Sequence, residues 1–240
     1  MHPRLIPPDP WKWLKNRTLP LLVALIGMIA LHPLFVQSGG LADELFPLIV
    51  VVLPMLAVAA IGSWRRALPL ALIFVFVIAW NWGHDSFDQV AIAKGPTSYF
   101  ALVYYGYAIW ALSFRLFRST ALIDDRVYGG LSIYLLTAFM FSSLFRHISA
   151  VDPSAFATMG TGEPRALLWN DALYYSVTTI TTLGYGDIIP RSNWARSAAM
   201  IEVLCGVFIT VAFIAQLLTA RSPSHSPASP QHPTSPDHAR

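Results

Sequence analysis

Thr181-Thr182-Leu183-Gly184-Tyr185-Gly186-Asp187 lies between two long apolar stretches near the end of a 240-residue chain. An ordinary strand turns successive carbonyls to opposite sides. Turning them all to one side requires alternating backbone handedness, including positive φ. Gly184 and Gly186 supply positive φ at low steric cost. A row of carbonyls aligned in this way can replace the water around a bare cation. Thr182 offers a hydroxyl as well as its carbonyl. Leu183 offers only its carbonyl, with the side chain packed behind. Tyr185 projects away from the oxygen row, toward whatever supports it.

The residues just before this stretch, Asn170–Ile180, predict a helix too short to cross a bilayer, with Asn170 or Asp171 as its N-cap. Its C-terminal end would carry the negative pole of the helix dipole, which favours a cation. Tyr174 and Tyr175 predict an aromatic cuff around the carbonyl row. Non-helical backbone at membrane depth is tolerated only where protein buries it or where it lines a polar cavity. One carbonyl row makes one wall, and a dehydrated ion needs a ring of oxygens. Four copies closed by symmetry supply that ring.

The run Tyr174-Tyr175-Ser176-Val177-x-Thr179-x-Thr181-Thr182-Leu183-Gly184-Tyr185-Gly186-Asp187-x-x-Pro190 resembles the pore module of the potassium channel family nearly residue for residue. With the preceding long helix included, the resemblance covers residues 126–221. It implies a selectivity filter at Thr182, Leu183, Gly184, Tyr185 and Gly186, binding K⁺ at Thr182, Leu183, Gly184 and Tyr185. It implies filter support from Thr178, Thr179, Thr181, Tyr174, Tyr175 and Asp187, and a gating hinge at Gly206. One position departs from the pattern. The simplest bacterial channels carry a glutamate in the pore helix where this chain has Thr178, so the usual acid pair behind the filter is absent in that form. Glu202, on the last helix, is a further filter-support residue in this reading. An acid inside a membrane span is a functional hypothesis by default. Three readings stay open for it: a hydrogen bond to the pore helix from behind, a place on the ion pathway, or a packing acid carrying a proton.

Working outward, six apolar segments approach the length of a membrane span: Leu19–Val36, Leu45–Ile61, Ala67–Trp82, Tyr99–Phe117, Leu131–His147 and Ala195–Ala220. Pro47 and Pro54 predict a kink in the second. Only 12% of the residues are charged, against about 25% in soluble domains, and the mean hydropathy is +0.53. With the N-terminus inside, 11 of the 16 basic residues fall on cytoplasmic segments and 5 outside, the direction of the positive-inside rule. This sidedness puts the loop between spans five and six outside, where a potassium filter re-enters. The fold expected is an all-α membrane protein. It has six transmembrane helices, a re-entrant pore helix and filter between helices five and six, and assembles as a homotetramer. Residues 1–18 read as a cytoplasmic N-terminus, with the first span retained and not cleaved. Residues 19–118 read as a four-helix transmembrane domain, 126–221 as the pore domain, and 222–240 as a Pro/Ser-rich disordered cytoplasmic tail. The location expected is the plasma (inner) membrane, with both termini cytoplasmic.

Six spans and a filter invite a voltage sensor, and the fourth span argues against one. Tyr99–Phe117 has no basic residue before Arg115, and Arg118 follows just beyond it. Each charge moved supplies only about 2.3 kcal/mol per 100 mV, so a sensor needs several along the helix. The function expected is passive, K⁺-selective conduction without strong voltage dependence. The gating stimulus is not legible, and a regulatory partner of unstated kind is left open. The alternatives are a less selective cation channel and a non-conducting membrane sensor built on the pore fold. Cys205, the sole cysteine, excludes an intrachain disulfide and a cysteine-based zinc cluster. No cofactor is expected beyond the permeant K⁺, and no nucleic-acid partner. His84, Asp85 and Asp88 share one loop without a nucleophile, which reads as surface polarity and not as an enzyme site.

Overall fold

The structure, a computed structural model, describes residues 18–38, 68, 69, 72, 97–118, 123–159 and 166–221. Residues 1–17, nearly all of the second and third expected spans, the His84 loop and residues 222–240 lie outside these residues. Five α-helices are described: α1 (Leu19–Ser38), α2 (Thr97–Arg118), α3 (Ile123–Val151), α4 (Trp169–Ile180) and α5 (Asn193–Arg221). Three of them contain stretches long and apolar enough to cross a membrane: Ser98–Phe117, Asp124–Val151 and Asn193–Leu218. In α1 the described apolar stretch, Leu19–Leu31, is shorter.

Two expectations need correction. The fifth expected span, Leu131–His147, lies inside a longer helix, α3, which begins at Ile123. Its polar first turn, Asp124-Asp125, escapes a hydropathy reading but suits a helix start, because acids favour the positive pole. The fold is also not wholly helical. β1 (Phe156–Thr158) pairs antiparallel with β2 (Ile188–Pro190), with Phe156 opposite Pro190, Ala157 opposite Ile189 and Thr158 opposite Ile188. Strands of three residues carry no readable periodicity. They pair because the chain on both sides is pinned. Phe156 and Ile188 are buried in one core cluster, and Arg191 N–H donates to Ala155 O at 2.8 Å.

Helix α3 is the centre of the molecule. One side packs Ile133, Leu136 and Phe139 against Leu21, Leu25 and Met28 of α1 and Tyr104, Tyr105, Ala108, Leu112 and Leu116 of α2. Its later turns carry Phe141 and Phe145 into a second cluster with Phe156, Leu167, Tyr175, Ile188 and Ala195. Adjacent glycines let α3 approach two neighbours at once. A Cβ on Gly129 would sit 2.7 Å from Leu116 on α2, and one on Gly130 would collide with Phe213 on α5. At the end assigned to the cytoplasm, Asp125 ties three helices together. Its Oδ1 accepts from Thr18 N at 3.0 Å and from Thr18 Oγ1 at 2.7 Å, just before α1. Its Oδ2 lies 3.6 Å from Arg115 Nη2 on α2.

Candidate functional site

Helix α4 is 12 residues long, about 18 Å at 1.5 Å per residue, roughly half of a bilayer core. Its N-cap is Leu168, which makes no side-chain capping bond. This corrects the expected cap at Asn170 or Asp171. Trp169 belongs to the helix and lies 6.1 Å, ring to ring, from Phe139, and that anchor starts the helix early. Ala172 N–H donates to Leu168 O at 3.0 Å. Asp171 falls in the first turn, where its charge suits the dipole.

At the other end, the carbonyls that terminate α4 hold the segment after it. Thr178 O accepts from Leu183 N at 2.9 Å and Gly184 N at 3.0 Å. Thr179 O accepts from Thr182 N at 2.9 Å, and Val177 O from Thr181 N at 3.2 Å. The Thr181 hydroxyl also donates to Val177 O, at 2.7 Å. A helix end leaves four carbonyls without intrahelical partners. Here the chain doubles back onto them and is fixed by main-chain bonds, helped by the Thr181 hydroxyl.

The segment thus held has positive φ at alternate residues: Thr182 at 59°, Gly184 at 50° and Gly186 at 78°. A Cβ on either glycine would meet nothing within 4 Å. Their requirement is conformational and not steric. Thr182 was not legible as a left-handed residue. A β-branched residue at positive φ is a true outlier, of the kind that costs about 1–3 kcal/mol and clusters at functional sites. Leu183 and Tyr185 are 55% and 67% exposed in the single chain, so the expected packing behind Leu183 is not made within one subunit. The Tyr185 ring stacks on Tyr174 at 6.3 Å and 4°.

Asp187 closes the segment. Its Oδ1 accepts from Ile188 N at 3.0 Å, and its carbonyl accepts from Met159 N at 2.8 Å, extending the β1–β2 pairing. Its carboxylate also interacts with the Tyr174 side chain. Tyr175 points the other way, into an aromatic cluster with Phe145 at 4.9 Å and Phe156 at 5.4 Å, both edge-on, and pairs with the Thr179 side chain. Buried Thr178 turns its hydroxyl to Tyr175 O at 3.0 Å, not toward the carbonyl row.

Behind α4 stand α3 and α5. Tyr134 OH donates to Ile180 O at 2.7 Å. Glu202, fully buried, hydrogen-bonds with the Ser176 hydroxyl, which also donates to Ala138 O at 2.7 Å. The acid therefore lies between α5 and α4. Helix α5 runs unbroken through Gly206, and a Cβ there would lie 2.7 Å from Ile180 O. The glycine admits the end of α4, a demand separate from bending. Tyr134 gave no sequence signal and Ser176 only its place in the matched run, because a lone hydroxyl in an apolar helix says nothing about its partner. Among the described residues no group of three or more His, Cys, Asp or Glu could hold a metal ion.

Comparison with known proteins points to the same region. Residues 131–221 match the family model described as "Ion channel". The chain is 37% identical over 82 residues to the two pore potassium channel b of Oryza sativa subsp. japonica, covering 34% of this chain and 22% of that one. It is 40% identical over 53 residues to the inward rectifier potassium channel Kirbac3.1 of Paramagnetospirillum magnetotacticum, covering 22% and 18%. It is 35% identical over 43 residues to the potassium channel protein kcv of Paramecium bursaria Chlorella virus 1, covering 18% and 46%. The chain thus spans less than half the length of each of these relatives. No solved structure matches it. The matches point to ion channels and not to an enzyme.

Proposed function

From the match of residues 131–221 to the ion channel family model and their similarity to named potassium channels, we propose that this chain is one subunit of a homotetrameric, K⁺-selective channel. Four copies bring residues 182–186 around one axis, and the carbonyls of Thr182, Leu183, Gly184 and Tyr185 form successive oxygen rings around dehydrated K⁺. Helix α4 is the re-entrant pore helix and α5 the inner helix. The observation that carries this reading is positive φ at Thr182, Gly184 and Gly186, the alternation that a row of like-facing carbonyls demands. Two further observations support it. Leu183 and Tyr185 are exposed in the single chain, as surfaces that other copies would cover. Helix α5 likewise presents exposed Ile201, Leu204, Phe208 and Val211. In this reading the chain has six spans in the plasma membrane, and the bias of basic residues supports both termini in the cytoplasm.

The test is ion flux through liposomes carrying the purified protein. K⁺ should pass far faster than Na⁺, and Gly184→Ala should abolish the preference. Equal flux of both ions would identify a less selective cation channel. No flux of either would identify a non-conducting sensor.

A further inference from the structure

We propose that Glu202 is held as a neutral carboxylic acid whose proton clamps the pore helix between its two neighbours, and that loss of this proton at alkaline pH releases the clamp and lowers conduction. Ser176 Oγ meets two groups, Ala138 O on α3 and Glu202 Oε1 on α5. A hydroxyl has one proton to give. A backbone carbonyl has none, so the Ser176 proton goes to Ala138 O. The bond to Glu202 then needs a proton from the acid. The relay runs Glu202 O–H to Ser176 Oγ, and Ser176 O–H to Ala138 O. It crosses from α5 through α4 to α3.

The surroundings agree. Glu202 and Ser176 are both 0% exposed. The titratable groups that face Glu202 are Tyr134 on α3, Tyr175 on α4 and Cys205 on its own helix. Among the described residues no cationic side chain faces it. Glu202 Oε2 has no hydrogen-bond partner there either. A carboxylate in this place would be a buried, uncompensated charge with one oxygen unsatisfied. A neutral acid leaves only a carbonyl oxygen unpaired. When the proton passes to hydroxide from solvent, two acceptors contest the single Ser176 proton. Either Ala138 or the carboxylate loses its bond, and the join behind α4 opens. Glu202 is thus a positioning residue: it touches no residue of the carbonyl row. One turn on from Ser176, Ile180 O takes the Tyr134 hydroxyl and abuts Gly206, so the same helix is held from behind at two levels.

The link to conduction rests on the channel reading, and the decisive measurement does not. Infrared difference spectra of the lipid-embedded parent and Glu202→Gln should show, at neutral pH, a protonated-carboxyl stretch that the variant lacks and that disappears on alkaline titration. If Glu202→Gln does not assemble, Ser176→Ala substitutes. It keeps the acid and removes its acceptor, so the band should move to higher frequency. Parent K⁺ flux should fall as pH rises through the same range. Glu202→Gln, whose amide keeps donating to Ser176, should lose that fall. Absence of the neutral-pH band, or a band unmoved in Ser176→Ala, overturns the clamp. A present band with a flat alkaline flux profile overturns its control of conduction. A protein that carries no K⁺ at any pH overturns the channel reading alone, and the spectrum still decides the proton.

Discussion

The left-handed positions of the carbonyl row differ in what they tolerate. Gly184 has open space around it but φ of +50°. Alanine there incurs the left-handed penalty of an L-residue, about 1–2 kcal/mol. Relaxing it would turn a carbonyl out of line. The fold should therefore survive while the preference for K⁺ over Na⁺ collapses, as a flux ratio would show. Gly206 is the opposite case. Its helix is regular, and its constraint is the Ile180 carbonyl 2.7 Å from any Cβ. Gly206→Ala should destabilise the protein by about 1–3 kcal/mol, as overpacking does, and lower the midpoint of thermal unfolding in detergent. Unchanged stability would mean that α4 and α5 separate easily, contrary to the packing described. The motif made Gly184 legible. It also drew attention to Gly206, but as a bend. Its contact with Ile180 joins residues from different helices, and no local pattern encodes that.

Between elements, the joints are polar and few. Asp125 holds the amide and hydroxyl of Thr18 before α1 and faces Arg115 of α2. Asp125→Ala should cost about 1.5–3 kcal/mol, the scale of hydrogen bonds to a charged group, and hydrogen exchange should rise first in α1. If α1 exchanges no faster, the joint does not hold it. On the other side, Met159 N–H donates to Asp187 O, so β1 braces the residue that closes the carbonyl row. Proline at 159 removes that donor. Faster exchange at the amides of Ile188 and Ile189, with α3 unaffected, is the expected outcome. Neither joint was legible. Asp125 looks like an ordinary polar residue outside a span, and its Thr18 partner lies 107 positions away.

The whole molecule should respond weakly to voltage. Helix α2, the fourth expected span, carries basic residues only at Arg115 and Arg118, in its final turn. With about 2.3 kcal/mol per charge per 100 mV, two charges at a membrane boundary cannot drive steep opening. A shallow conductance–voltage relation is expected. A slope equivalent to several charges per subunit would contradict it. Cross-linking of the purified protein should yield a species of four 26.5 kDa chains. The oxygen rings need four walls, and α5 has much apolar surface left uncovered in one chain. A dimer or monomer as the largest product would remove the pore.

The sequence by itself determined the glycine-spaced segment 182–186, the long apolar stretches and the short helix before Thr181. Those properties are local. Glycine spacing sets handedness, hydropathy over about 20 residues sets a span, and neighbouring residues carry both. Only the tertiary structure decided what stands behind that backbone. Gly129 and Gly130 admit two helices at once, β1 meets β2, Tyr134 reaches Ile180, and Glu202 finds Ser176 and leaves one oxygen without a partner. Such pairings join residues tens of positions apart and depend on how helices lie against one another. Even Thr182-Leu183-Gly184, at the heart of the plainest feature of the chain, is held in place by carbonyls of Thr178 and Thr179 that folding aims at it.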